Sequence, residues 1–181
     1  MSRAFWLGQR VVADTSVLIN FLRIDRMDLI GAHPGSFVAT DHVAAEITQA
    51  PQRECYERAL RAHHLAEERV GDPAEVDIFF RLDSRGELGA GECSAIAVAL
   101  NRGYRLAIDD NKALRCAVRE ASLRRYKLRV VGTEGIVLEL IQRGVLTIEE
   151  ADDMLADWAA NHRFQLRFSS FRLLLDRETG E

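Results

Sequence analysis

With 181 residues, 48% of them hydrophobic, the chain is long enough to bury one sizeable core without disulfides. A net charge of −4 with 29% charged residues excludes a globally basic nucleic-acid binder, so a polyanionic partner must meet a local patch. No stretch approaches about 18 uninterrupted apolar residues, which excludes a spanning helix, and the start MSRAFWLGQRVVADTS lacks the apolar run and cleavage site of a leader.

Short apolar runs alternate with longer helical patterns, the signature of βαβ units and a mostly parallel sheet. The first strand is predicted over 10–13 and runs into a helix over 16–22. A strand over 36–39 leads to a helix over 41–49 with Asp41 as N-cap, then a helix over 53–67 and a weak strand over 68–70. Helices over 74–81 and 91–101 flank the flexible-looking connection LDSRGELGAGE (82–92). A strand over 105–108 enters a helix over 111–121, and a strand over 128–131 enters one over 134–143. Gly103 and Gly144 stand where C-terminal glycines close helices. From 147 the pattern changes: Thr147 and Glu150 make a capping box for a helix over 148–160, Phe164, Leu166 and Phe168 alternate, and a helical tail covers 170–177. The expected architecture is an α/β fold over 1–146, with 147–181 as an extension packed on the same domain.

Cys55, Cys93 and Cys116 are odd in number, far apart and free of CxxC spacing, so they read as reduced core thiols of a cytoplasmic protein. His63 and His64 do not make a zinc site with Cys55, because adjacent helical residues point apart and no second Cys/His pair is in register.

In an open parallel sheet, ligands bind beyond the carboxyl ends of the strands. Here the first strand ends at Asp14, followed by Thr15 and Ser16, and the strand over 105–108 ends at Asp109 and Asp110. Two otherwise apolar helices add Glu46 and Glu92, and no Lys or Arg neighbours Asp14, Glu46 or Glu92 in sequence. Singly, each has a plain reading: Asp14 as an N-cap, Glu92 as a first-turn acid favoured by the helix dipole. Together they would repel one another and raise their pKa values unless a cation neutralised them. Mg²⁺ or Mn²⁺ suits an oxygen-only cluster, and such a site suits phosphodiester hydrolysis without a covalent nucleophile.

The stretches VVADTSVLINFL (11–22), TDHVAAEI (40–47), LGAGECSAIAVAL (88–100), LAIDDNKALRCA (106–117) and RVVGTEGIVLEL (129–140) resemble the PIN-domain nucleases, especially the small prokaryotic PIN proteins similar to VapC-type toxins. The resemblance implies a three-layer α/β/α fold around a parallel sheet of about five strands, with a C-terminal helical appendage. It maps the family's metal-binding acids onto Asp14, Glu46, Glu92 and the Asp109/Asp110 pair; Asp110 fits the common spacing better, and both stay open. Ser16 matches the small hydroxyl residue that helps hold the first acid. Ile108 stands where many relatives carry Thr, and Asn111 and Lys112 stand where some carry a further acid. Implied too are Mg²⁺- or Mn²⁺-dependent endoribonuclease chemistry, a homodimer and a cognate antitoxin that occludes the acidic site.

An acidic site needs basic surroundings to hold RNA. Lys112, Arg115, Arg119, Arg124, Arg125, Lys127 and Arg129 form the densest basic run, and Lys112 and Arg115 are the residues expected to guide substrate phosphates. The alternatives are a catalytically inactive PIN-like module acting through a partner, and a phosphatase similar to the haloacid dehalogenases. The latter needs an Asp two residues after the first, where Ser16 stands.

Overall fold

The computed structural model describes residues 8–179; the first seven residues, part of the leader-free reading, and the end of the 147–181 extension lie outside the described residues. Five parallel strands are ordered β3-β2-β1-β4-β5. They are β1 (Arg10–Ala13), β2 (Ser36–Thr40), β3 (Ala66–Glu68), β4 (Arg105–Ala107) and β5 (Val130–Val131). In the three central strands Val11, Val12, Ala13, Phe37, Val38, Ala39, Leu106 and Ala107 are all buried, with no solvent-facing alternation. That continuous apolar pattern belongs to strands covered on both faces.

Both covers are helical. On one face α1 (Thr15–Arg23) and α2 (Met27–Ala32) pack with α4 (Ala50–Arg61). On the other, α6 (Ala90–Arg102) lies across β1, β2 and β4, flanked by α3 (Asp41–Glu46), α5 (Pro73–Asp83) and α7 (Asn111–Leu123). The small side chains of α6 allow this central place: Cys93 to Ala99 are all fully buried. After β5, α8 (Thr133–Gln142) packs on α9 (Ile148–Asn161), and α10 (Arg172–Thr179) follows.

Several boundaries differ from the sequence expectation. The N-cap of α3 is Thr40, whose hydroxyl accepts the Val43 amide, and Asp41 is the first helical residue. That helix ends at Glu46 instead of continuing to 49, so Glu46 sits on its last turn. The helix expected over 53–67 is α4, which stops at Arg61; His63 takes a positive φ of 56° and Leu65 dives into the core, moving the edge strand to Ala66–Glu68. The six residues of α2 are too few for periodicity to declare. The connection 82–92 is shorter than it reads, because α5 runs to Asp83 and α6 begins at Ala90. The alternating Phe164, Leu166 and Phe168 form no strand and pack against the core instead.

Thr147 and Glu150 make the expected capping box at α9. Trp158 of α9 is fully buried, meets Phe21 and Phe164 edge-on, and donates its indole N–H to the Asn20 carbonyl at 2.8 Å. Phe171 is fully buried as well, its amide held by Asp152 at 2.9 Å. Residues after 147 thus share the core of α1. Among the described residues, no helix is long and apolar enough to cross a membrane.

Candidate active site

Strand order reverses at β1: the chain proceeds outward to β2 and β3 on one side, then returns to β4 and β5 on the other. Helices therefore diverge to opposite faces above the β1–β4 pair and leave a crevice beyond its carboxyl ends. The Asp14 amide donates to the Ala107 carbonyl at 2.9 Å, stitching those ends together.

Three helix N-termini meet there, each carrying an acid from the sequence prediction, and a fourth acid reaches in from the last turn of α3. Asp14 caps α1, its Oδ2 accepting the Ser16 amide at 3.1 Å. Asp110 caps α7 through the Ala113 amide at 2.8 Å. Glu92, at the third position of α6, accepts the Gly89 amide at 2.9 Å. Glu46 reaches across from α3: its Oε1 accepts the Gly91 amide at 2.8 Å and its Oε2 accepts the Thr15 hydroxyl. The plain reading of Asp14 as an N-cap and of Glu92 as a first-turn acid is correct and is also how most of the cluster is built. The N-termini of α1, α6 and α7 supply N–H donors and positive potential that let carboxylates stand beside one another, that of α6 serving Glu46 as well as Glu92.

A buried polar relay holds α3 on α6. The Thr40 hydroxyl pairs with the Ser94 hydroxyl, which donates to the Gly91 carbonyl at 2.7 Å. The Glu46 and Glu92 carboxylates converge there: a β-carbon on Gly89 would stand 3.4 Å from one and 3.9 Å from the other.

Asp109 does something else. Its carboxylate faces inward, accepting the Thr133 amide at 2.8 Å, the Thr133 hydroxyl and the Asn20 side-chain amide at 3.0 Å, while its own amide donates to the Ser16 hydroxyl at 3.1 Å. It packs on Gly132, where a β-carbon would meet its Oδ1 at 2.7 Å. Asp109 thus ties together α1, β4 and the start of α8, and Asp110 is exposed at the crevice. Asn20 and Gly91 were not picked out by sequence reasoning, and Thr15 and Thr133 stood out only as polar residues at strand ends, without a role. Asn20 left one trace, a polar residue four after Ser16 in the apolar run VLINFL, and its side chain donates back to the Ser16 carbonyl at 3.1 Å.

The electrostatics separate this cluster from the fold's other acids. Glu75, Glu120 and Glu139 are buried or half-buried, and each is matched by arginine: Arg102, Arg81 with Arg124, and Arg105 respectively. None of the ion pairs among the described residues involves Asp14, Glu46, Glu92, Asp109 or Asp110. Burial pushes the Asp14 carboxyl up despite its bonds to Ser16 and Thr15, and the nearby Glu46 charge adds to the rise. Burial also raises Glu92, offset in part by the Gly89 amide, with Asp14, Asp110 and Glu46 all pushing the same way. Asp109 is raised by burial against the pull of Thr133 and Asn20.

Whether the residues suit a divalent cation is tested by Asp14, which is 1% exposed and whose Oδ1 is buried with no hydrogen-bond partner. A bare carboxylate oxygen among mutually repelling acids is an acceptor without a donor, and an oxygen-only set matches Mg²⁺ or Mn²⁺. Among the described residues, no three His, Cys, Asp or Glu side chains are closed up into a ready-made metal cage. Asp14, Glu92 and Asp110 are instead held at the N-terminal ends of their own helices, and Glu46 at that of α6.

Lys112 and Arg115 lie on the first turns of α7 beside Asp110, exposed and outside the ion pairs of the described residues. The rest of the basic run is partly neutralised, Arg119 by Glu87 and Arg124 by Glu120, while Arg129 donates to the Gly103 carbonyl.

No curated protein matches the chain. Among solved structures it is similar to the crystal structure of PAE2754 from Pyrobaculum aerophilum, with a TM-score of 0.44 and 14% identity over 75% of this chain and 99% of that one. A family model described as a PIN domain matches residues 10–174, which span all five strands and the helices up to the start of α10. The chain belongs to the PIN domain family, whose members are generally nucleases.

Proposed function

We propose that the chain is a divalent-metal-dependent endoribonuclease that hydrolyses RNA phosphodiester bonds. The observation that carries this is the gathering of Asp14, Glu46, Glu92 and Asp110 at the switch point, outside every ion pair among the described residues, with the Asp14 Oδ1 buried and bare. Those four would hold Mg²⁺ or Mn²⁺. A bound cation supplies a lowered pKa for the attacking water and neutralisation of the phosphate charge.

This chain's residues do the positioning. Asp14 and Asp110 present carboxylate oxygens from fixed helix caps, and Glu46 and Glu92 add theirs from α3 and α6. Asp109 with Asn20, Thr133 and Ser16 is a positioning group: the Ser16 hydroxyl accepts the Asp109 amide and so orders the loop after β1, next to where substrate would bind. Lys112 and Arg115 would orient phosphates of the bound strand.

The test is cleavage of single-stranded RNA with Mg²⁺ or Mn²⁺, yielding 5′-phosphate ends, compared with chelator and with Asp14→Asn. Cleavage that persists in either control would falsify the assignment. The reading extends to a homodimer and to the toxin of a toxin–antitoxin pair, its antitoxin covering the acidic site. Sizing tests the first. Growth arrest on expression, relieved by the adjacent small reading frame, tests the second, and unimpeded growth removes the toxin role. Three free, buried cysteines support a reducing, cytoplasmic setting.

A further inference from the structure

We propose that the cleft between α1, α4 and α9 is an anion subsite that binds a phosphate of the nucleic-acid strand leaving the carboxylate cluster; the choice of strand rests on the nuclease reading. The cleft has a volume of about 420 Å³, inside the usual range of ligand sites, and it is separate from the carboxylates. In a chain of net charge −4, its lining holds Arg23, Arg163, His162, Gln49, Gln52 and Asn161 and no acid.

The cationic groups are placed rather than trailing. Arg23 donates to the His162 carbonyl at 3.1 Å, which fixes the guanidinium over the cleft. Neither Arg23 nor Arg163 takes part in an ion pair among the described residues. Asp157, outside the lining, is 3.6 Å from the His162 ring and accepts from Asn161 at 2.6 Å. The N-terminus of α4 opens on the same space. Its N-cap, Gln49, makes no side-chain cap bond, because its Oε1 accepts from Gln52 at 3.0 Å, so the first amides of α4 add positive potential.

The cleft is also within reach of the chemistry. Arg23 follows Thr15 by eight residues of one helix, about 12 Å along its axis. Gln49 follows Glu46 by three residues across the α3–α4 junction. On the opposite side Lys112 and Arg115 stand on α7, packed with α6 on the other face of the sheet. The carboxylates therefore sit between two cationic patches, the arrangement a polyanion crossing the sheet edge requires.

The test uses the full chain in chelator, so that binding is read without cleavage, and a fluorescently labelled single-stranded oligoribonucleotide titrated at several salt concentrations. Arg23→Ala/Arg163→Ala should weaken binding about tenfold or more at low salt and flatten the slope of log K against log salt by about one to two. Arg61→Ala, a control on exposed α4 surface, should change neither. Arg163→Glu, at a side chain without a hydrogen bond among the described residues, should act in the same direction as the double variant and guards against a folding artefact. An unchanged affinity and slope in a folded double variant overturns the subsite. Displacement of the oligonucleotide by a nucleoside 5′-monophosphate at micromolar concentration reassigns the phosphate to a free nucleotide; displacement only at millimolar concentration supports the strand. If the double variant loses RNA but wild type with Mg²⁺ never cleaves it, the subsite stands and the nuclease reading falls. If cleavage occurs and the double variant binds normally, the subsite alone falls.

Discussion

The Glu46 carboxylate fills the space that a side chain on Gly91 would need. It accepts the Gly91 amide at 2.8 Å, and a β-carbon there would stand 2.4 Å from Glu46 Oε2. Glycine in the first turn of a helix costs up to about 1 kcal/mol in propensity, so the position favours the acid over the helix. Gly91→Ala is expected to leave the melting temperature unchanged or slightly raised. It should also push Glu46 aside, lowering Mg²⁺-dependent cleavage by at least tenfold. Full activity in a folded Gly91→Ala protein would show that Glu46 is dispensable.

The raised Asp14, Glu92 and Asp109 carboxyls set a sign. A carboxyl raised in the folded state holds its proton more tightly there, so its contribution is fully present below the unfolded pKa and is lost as pH rises through the folded value. At neutral pH without a cation these acids weigh against folding. Asp14→Asn keeps the cap, since Asn caps as well as Asp, and should raise the metal-free melting temperature by about 2–4 °C per kcal/mol relieved. Calorimetric titration with Mn²⁺ should show its affinity for the cation lost. A lowered melting temperature in chelator would contradict the electrostatic account.

Asp109 and Asp110 should separate cleanly. Asp109→Asn relieves a buried charge but turns an amide nitrogen toward donors, Thr133 or Asn20; the lost bonds outweigh the relief, for an expected cost of about 1–3 kcal/mol in denaturant unfolding. Asp110→Asn preserves the α7 cap and should be near neutral in stability while removing cleavage. The reverse pattern would make Asp109 the ligand.

Glu75 predicts the acid limb. Burial works against its charge, but Arg102, Asn101 and the Gly71 and Asp72 amides overcome this and bring its pKa from 4.5 down to about 2. Its contribution is present above about 4.5 and is lost as pH falls toward about 2. Glu75→Gln should lower stability by about 2–3 kcal/mol at neutral pH, with Arg102 left half-paired, and should flatten the pH dependence between those values. A parallel pH profile in the variant would remove this role.

The parallel α/β layout, the family and the identities of the clustered acids were legible in the sequence, because apolar runs buried on both faces and acids at strand ends are local patterns. Thr147 with Glu150, Gly103 and Gly144 were legible for the same reason: a cap is decided within one turn. The sequence could not separate Asp109 from Asp110. That difference depends on Thr133, Asn20 and Gly132, which are brought beside Asp109 by the pairing of β4 with β5 and the packing of α1. Nor could it show Gly91 beneath Glu46, Trp158 bonded to Asn20, or Arg23 and Arg163 in one cleft. Those contacts join residues 45 to 140 positions apart, and only the order of the strands brings them together.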